Sequence, residues 1–403
     1  MHELAHYGLW VAIVSGAALA AVVSARLAEK IRIPPGAIFL IVAAVASDAF
    51  PSVSHLSTRN VERIASVALA VILFDGGLRV GWRRFGESAV PIVSLGLLGT
   101  FVTAGLLALA AHAILGFDWT TSGVLGAALA PTDPAIMFSV LAGREISGRS
   151  GMILEGESGA NDPVGIALML ALVSAAAGGG SVGSATVDFV SSLLIGLAIG
   201  VIAGLWAHPL LARLPLREAS LVPLRTLTFV GVVFGVASVA HGSGFLAAYV
   251  CGVLVGDASF PGRRSVARFH NSLANLAEIV VFVALGLTVN LHDVFHNNIW
   301  LDGLALALLG MVVIRPVALA PLLAPIDLTR GERLFVLWGG LKGAVPILLA
   351  SFALLGDVKH AQQIYLIVFV VVVLSVTLQA ATIPTVARRL GVPMRISRER
   401  EWE

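Results

Sequence analysis

The sequence predicts an all-α polytopic membrane protein of about thirteen transmembrane helices, arranged as an inverted repeat with two broken helices. Three observations carry this expectation. The chain of 403 residues is 58% hydrophobic and 12% charged, with a mean hydropathy of +0.94. Soluble domains have about a quarter of their residues charged, so there are too few charges here to cover a water-exposed surface. The apolar residues fall in repeated runs of roughly 18 or more, each long enough to cross about 30 Å of hydrocarbon. Two of these runs, one in each half of the chain, are interrupted near their centres by proline or glycine beside a charged residue.

Taken in order, the spans are 7–28, 33–48, 61–79, 88–115, 119–143, 150–177, 185–213, 221–240, 243–257, 266–291, 299–323, 331–355 and 361–388. The first follows His2, Glu3 and His6 rather than a basic n-region, so it reads as a retained helix and not a signal peptide. Connections are short, and Gly178-Gly179-Gly180-Ser181 reads as a flexible one. Residues 1–390 read as one transmembrane domain, and 391–403 as a short basic tail. The lone Cys251 excludes an internal disulfide. A net charge of +2 gives no reason to expect a nucleic-acid partner, and the lipid bilayer is the expected surroundings.

Charge orients the spans. Alternate loops, beginning after span one, hold twenty-one of the 26 Lys and Arg, whereas the N-terminus and the intervening loops hold only Arg59, Arg63 and Lys359. The positive-inside rule then puts the N-terminus outside a plasma or inner membrane and the C-terminus in the cytoplasm. The two remaining cations, Arg315 and Lys342, lie inside apolar runs.

Ionisable groups at membrane depth are costly, and each is a candidate for function. Here they are Asp75, Asp133, Glu155, Glu157, Asp162, Glu278, Arg315 and Lys342. A purely structural reading, in which such groups pair to hold helices together, suits Glu157, Glu278, Arg315 and Lys342 as well as a functional one. It suits Asp133 and Asp162 poorly. Asp133 lies in Ala130-Pro131-Thr132-Asp133-Pro134, mid-span, where two prolines prevent a regular helix. Backbone groups freed at the midplane survive only beside a cavity or packed protein, and half-helix ends are where transporters hold ions. Asp162 lies in Glu155-Gly156-Glu157-Ser158-Gly159-Ala160-Asn161-Asp162-Pro163. Helical spacing puts Ser158 and Asp162 on one face, with Glu155 a turn further back, and Glu157 and Asn161 on a neighbouring face. Oxygen ligands of this kind suit a hard cation, and there is no cysteine–histidine cluster with zinc spacing. In span twelve, Gly339-Gly340-Leu341-Lys342-Gly343-Ala344-Val345-Pro346 interrupts the run in the opposite chain direction. Two interrupted helices of opposite direction point to an inverted repeat with a site between its halves.

These motifs resemble those of the monovalent cation:proton antiporter family in its NhaP-like branch. The matching pieces are Thr132-Asp133-Pro134, Glu157-Ser158-Gly159-Ala160-Asn161-Asp162-Pro163, Phe282-Val283-Ala284-Leu285-Gly286-Leu287 and Gly340-Leu341-Lys342-Gly343-Ala344-Val345-Pro346. Ile72-Leu73-Phe74-Asp75-Gly76-Gly77-Leu78-Arg79 is similar to a segment of potassium/proton antiporters. The resemblance spans essentially the whole chain. It implies an NhaA/NhaP-like fold whose broken helices cross near the ion. A core of about 88–177 and 299–388 would move against a dimerisation part of about 7–79 and 185–291, in a homodimer. It implies Asp162 as the exchanging carboxylate, with Asp133, Ser158 and the Thr132 backbone holding Na+ or K+, Asp75 contributing directly or through water, and Asn161 beside them. It also implies that Glu157 pairs with the cation of span twelve. That position is usually arginine in the family and here is Lys342, with Arg315 available to share the pairing.

The expected activity is therefore exchange of Na+ or K+ for H+ with no further cofactor and no enzymatic step. Protonated Asp162 releases the cation and ionised Asp162 holds it, and neighbouring carboxylates titrate as a coupled set. Asn161 in place of a second aspartate goes, in the family, with one-for-one electroneutral exchange. An ion-coupled solute symporter is the alternative; it would need a larger cavity with polar groups for an organic substrate. An intramembrane aspartyl protease would need a Gly-x-Gly-Asp motif, which is absent. Sodium and potassium both fit the ligand set.

Overall fold

The computed structural model describes residues 34–49, 57–141, 144–176, 182–213, 218, 221–296 and 298–396. The expected first span, 7–28, lies outside the described residues. Helices α1 (Pro35–Ala49) and α2 (Thr58–Val80) lead to α3 (Ala89–Leu115). The next span is split into α4 (Trp119–Leu129) and α5 (Pro134–Ser139). A strand β1 (Arg144–Ile146) precedes α6 (Gly148–Ala176). Four helices follow: α7 (Val182–Arg213), α8 (Leu221–Val239), α9 (Gly244–Gly256) and α10 (Arg263–Gly286). The last spans are α11 (Ile299–Leu323), the split pair α12 (Arg330–Trp338) and α13 (Ala344–Leu355), and α14 (Ala361–Arg389). Among the described residues seven helices are long and apolar enough to cross a membrane unaided. This is a multi-pass membrane protein.

The order long helix, split helix, long helix occurs twice: α3, α4/α5, α6 and then α11, α12/α13, α14. These helices pack on one another, α3 on α4, α4 on α6 and α13, and α14 on α11 and α13. The helices α1, α2 and α7–α10 form a second group through α2 on α9 and α10, and α7 and α8 on α9. α2 and α9 approach backbone to backbone: a Cβ on Gly77 would strike the Tyr249 carbonyl, and one on Gly252 the Phe74 carbonyl. Without a hydrophobic drive between helices in lipid, such small-residue contacts are what bring them close. Val187, Leu194, Leu205 and Trp206 on α7 face outward, as lipid contact requires.

Helix ends follow local chemistry. Asp118 caps α4, accepting the Thr121 N–H at 3.0 Å and its hydroxyl at 2.8 Å. Those bonds, then the nearby Lys359, hold the Asp118 carboxyl below the usual carboxylate range. Thr329 and Glu332 form a capping box at α12. The all-α expectation omitted one feature. β1 pairs antiparallel with β2 (Met394–Ile396), with Glu145 and Arg395 opposite each other and ion-paired at 3.1 Å. The tail thus adds a strand to the connection between α5 and α6.

Candidate functional site

The two breaks meet. The Asp133 N–H donates to the Leu341 carbonyl at 2.7 Å, joining the α4/α5 gap to the α12/α13 gap. Each gap carries a charge suited to the half-helix end it faces. The Lys342 Nζ donates to the carbonyls of Ala130 and Pro131, both at 3.0 Å, at the C-terminal end of α4. The Asp133 carboxylate lies against Gly343, at the start of α13, where a Cβ would collide with it. A cation at a helix C-terminus and an anion at an N-terminus both oppose the local dipole, so the broken helices are compensated by each other's charged residue.

Each gap is also braced by the long helix that follows it. On α6, Ser158 donates to the Thr132 carbonyl at 2.5 Å. The Asn161 amide donates to Thr132 Oγ1 at 2.8 Å and accepts the Thr132 N–H at 3.4 Å. On α14, Ser375 Oγ accepts the Lys342 N–H at 2.8 Å and donates to Gln379 at 2.9 Å, while the Gln379 amide donates to the Trp338 carbonyl at 2.7 Å. Ser375 and Gln379 fall in a π-helical turn, Ser375–Gln379, a widening that commonly marks functional positions. Sequence reasoning passed over this second brace. Its signal was the i,i+4 pair Ser375 and Gln379, the same spacing as Ser158 and Asp162.

Glu157 does not pair with Lys342. It takes Arg315, whose Nη1 and Nη2 donate to its two oxygens at 2.9 and 3.1 Å. Arg315 Nε and Nη2 also donate to the carbonyls of Leu337 and Val336 near the end of α12, at 3.0 and 3.2 Å. The physical reason is shape. A planar guanidinium can chelate a carboxylate and still reach carbonyls, whereas an ammonium cannot. The guanidinium fits because Gly340 has no Cβ to obstruct it.

A cavity of about 110 Å³ lies beside the crossing, between the two helix groups. The structure brings Asp75, Asp133, Ser158 and Asp162 to its wall, together with Glu155, Glu278 and Tyr249. Its rim reaches Arg79, whose side chain is 48% exposed and paired to the buried Asp75 at 2.8 Å. Arg79 also donates to Asn271. Asp162 is 6% exposed, and its Oδ1 has no hydrogen-bond partner among the described residues. Pro163, having no N–H, removes the i→i−4 hydrogen bond to the Gly159 carbonyl from this turn of α6. Thr132 and Asn161, expected beside the ion, are not on the cavity wall. The Thr132 N–H and hydroxyl are spent on Asn161 and the Thr132 carbonyl on Ser158, so both residues shape the break rather than face the cavity.

Comparisons with known proteins identify the family and the fold. The family model described as "Sodium/hydrogen exchanger, transmembrane" matches residues 17–389. The K(+)/H(+) antiporter NhaP of Alkalimonas amylolytica is 35% identical over 381 residues, covering 93% of this chain and 66% of its own length. The K(+)/H(+) antiporter NhaP2 of Shewanella sp. (strain ANA-3) is 31% identical over 409 residues, covering 96% and 70%. The Na(+)/H(+) antiporter ApNhaP of Aphanothece halophytica is 27% identical over 348 residues, covering 82% and 65%. The chain thus spans about two thirds of the length of these relatives. The solved structure of the sodium proton antiporter MjNhaP1 from Methanocaldococcus jannaschii has the same fold, with a TM-score of 0.80 at 21% identity, covering 93% of this chain and 99% of that one.

Proposed function

We propose that this chain, which belongs to the sodium/hydrogen exchanger family, exchanges a monovalent cation, Na+ or K+, for protons across a plasma or inner membrane. One observation carries the reading. Asp162 is a buried carboxylate on a cavity wall with an oxygen that has no hydrogen-bond partner among the described residues. An ionised carboxylate without a partner is costly at membrane depth. It is relieved either by a proton or by a cation, and those two occupants exclude each other. Competition at one carboxylate is the simplest form of antiport. Asp133 and Ser158 share the cavity wall with it and Asp75 closes the rim side, a set of oxygen donors suited to a hard monovalent ion.

In this reading the site sits near the midplane and is reached from the Arg79 rim. That rim is the cytoplasmic side by the charge rule. Helices α3–α6 and α11–α14 move as a core against the remaining helices, which would form the dimer contact. The names of the relatives include both potassium and sodium antiporters, so either cation is a candidate substrate. A cavity of about 110 Å³ favours an ion with a few waters over an organic solute.

The exchange is one-for-one if Asp162 alone changes occupancy, since one positive charge then crosses on each leg. Asn161 leaves one fewer titrating group on α6, and the Lys342 Nζ donates to two carbonyls rather than to a carboxylate. A second titrating group would make the legs differ by a charge, worth about 2.3 kcal/mol per 100 mV. The test is purified protein in proteoliposomes with a trapped pH dye, challenged with Na+, K+ and Li+ salts under an imposed potential. Cation-driven proton flux reaching the same equilibrium ion gradient at every voltage is expected. No cation-driven flux overturns antiport, and a voltage-dependent gradient overturns one-for-one exchange.

A further inference from the structure

Two hydroxyls line the cavity, Ser158 on α6 and Tyr249 on α9. The second comes from the other helix group. Its placement is determined by close backbone contacts: α9 meets α2 at Gly77 and Gly252, and the Tyr249 ring rests on Gly159, where a Cβ would run into it. Gly159 lies between Ser158 and Asp162 on α6. The phenol oxygen is only 2.7 Å from where that Cβ would stand, so the ring delivers its hydroxyl to the same helical turn that carries both site residues. Tyr249 is 2% exposed, and its hydroxyl has no hydrogen-bond partner among the described residues. A buried phenol normally finds one. Asp162 Oδ1, on the same cavity wall, is in the same condition.

We propose that the Tyr249 hydroxyl is a further oxygen ligand of the transported cation, supplied from across the interface between the helix groups. This rests on the reading of Asp162 as the exchanging carboxylate. A phenol oxygen has lone pairs for a cation and one proton to donate. With Asp162 ionised and the ion present, the lone pairs join Ser158 and the carboxylates around it, and both unpartnered groups are satisfied by one occupant. With Asp162 protonated, the ion leaves and the phenol loses this partner. Because α9 does not move with α6, displacement of the core carries Asp162 and Ser158 away from this ligand. Tyr249 therefore sets cation affinity on one side of the membrane only, the side of the Arg79 rim.

The test is Tyr249→Phe, which keeps the ring on Gly159 and removes only the oxygen. Exchange is measured in vesicles of both orientations, and thermal unfolding of the purified full chain is followed with and without NaCl, KCl or LiCl. For the transported cation added at the Arg79 face, KM should rise about tenfold with the maximal rate within about twofold, as loss of one charge-assisted contact implies. KM at the opposite face should stay unchanged. The stabilisation that the cation confers on the unmodified protein should shrink in Y249F, while Tm in its absence should not move. An unmodified chain that exchanges, with Y249F matching it in KM at both faces and in cation-dependent Tm, overturns the tyrosine ligand alone. An unmodified chain that neither exchanges nor is stabilised by any of the three cations overturns the antiport reading and this inference together.

Discussion

The guanidinium of Arg315 holds Glu157 by two hydrogen bonds, of 2.9 and 3.1 Å, and tethers the carbonyls of Val336 and Leu337 at the same time. One side chain on α11 thus fixes α6 and the end of α12, the two elements that flank the crossing. Removing it strands a carboxylate that is 3% exposed. Arg315→Ala should destabilise the protein by about 3–5 kcal/mol, with Glu157→Gln in the same chain restoring part of the loss. Arg315→Lys should rescue little, because an ammonium cannot chelate both oxygens. Thermal unfolding in detergent across this double-mutant cycle is the measurement, and additive losses would mean that the pair does not act as a unit.

Gly340 belongs to the same unit. A Cβ there would overlap the guanidinium, so Gly340→Ala should expel Arg315 from its seat and lower Tm in wild type. In an Arg315→Ala background the same change should do little. A full-sized effect of Gly340→Ala without Arg315 would place its importance in the backbone of the gap instead.

Lys342 should behave differently from Arg315. Its work is at the Ala130 and Pro131 carbonyls, so Lys342→Ala should lower Tm by uncovering the C-terminal end of α4. Its coupling to Glu157→Gln should be clearly smaller than that of Arg315→Ala. A coupling energy equal to the arginine's would restore lysine as the partner of Glu157.

The second brace predicts a matching pair of defects. Gln379→Leu leaves the Trp338 carbonyl unbonded and Ser375→Ala leaves the Lys342 N–H unbonded, each costing about 1–3 kcal/mol. Because Ser375 and Gln379 bond each other at 2.9 Å, the double variant should lose less than the sum. Unfolding midpoints of the three variants decide this.

Much of this architecture was legible in the sequence because it rests on local rules. Apolar run length gives the spans, and Pro131 and Pro134 give the first break whatever surrounds it. The i,i+4 spacing correctly separated Ser158 and Asp162 from Glu157 and Asn161: the first pair lines the cavity while the second turns to Arg315 and Thr132. What escaped depends on approach in space. Whether Arg315 or Lys342 reaches Glu157 is decided by the missing Cβ of Gly340, which no spacing rule weighs. Thr132 and Asn161 satisfy each other, and sequence alone does not tell a brace from a ligand. Tyr249 sits in an apolar helix, and only its contact with Gly159 across the helix groups reveals its direction. The pairing of Arg144–Ile146 with Met394–Ile396 joins strands of three residues far apart in the chain, too short to carry a periodicity.

The proposed exchange at Asp162 is tested most directly by Asp162→Asn. Asparagine keeps the volume and removes both the titrating proton and the charge that holds the cation. The variant, purified and reconstituted beside the unmodified protein, should show Tm close to wild type and no cation-driven proton flux from pH 6 to 9 (a window of about three units spanning neutrality). Cation-driven flux retained in Asp162→Asn at any pH in that window would contradict competition of proton and cation at this carboxylate.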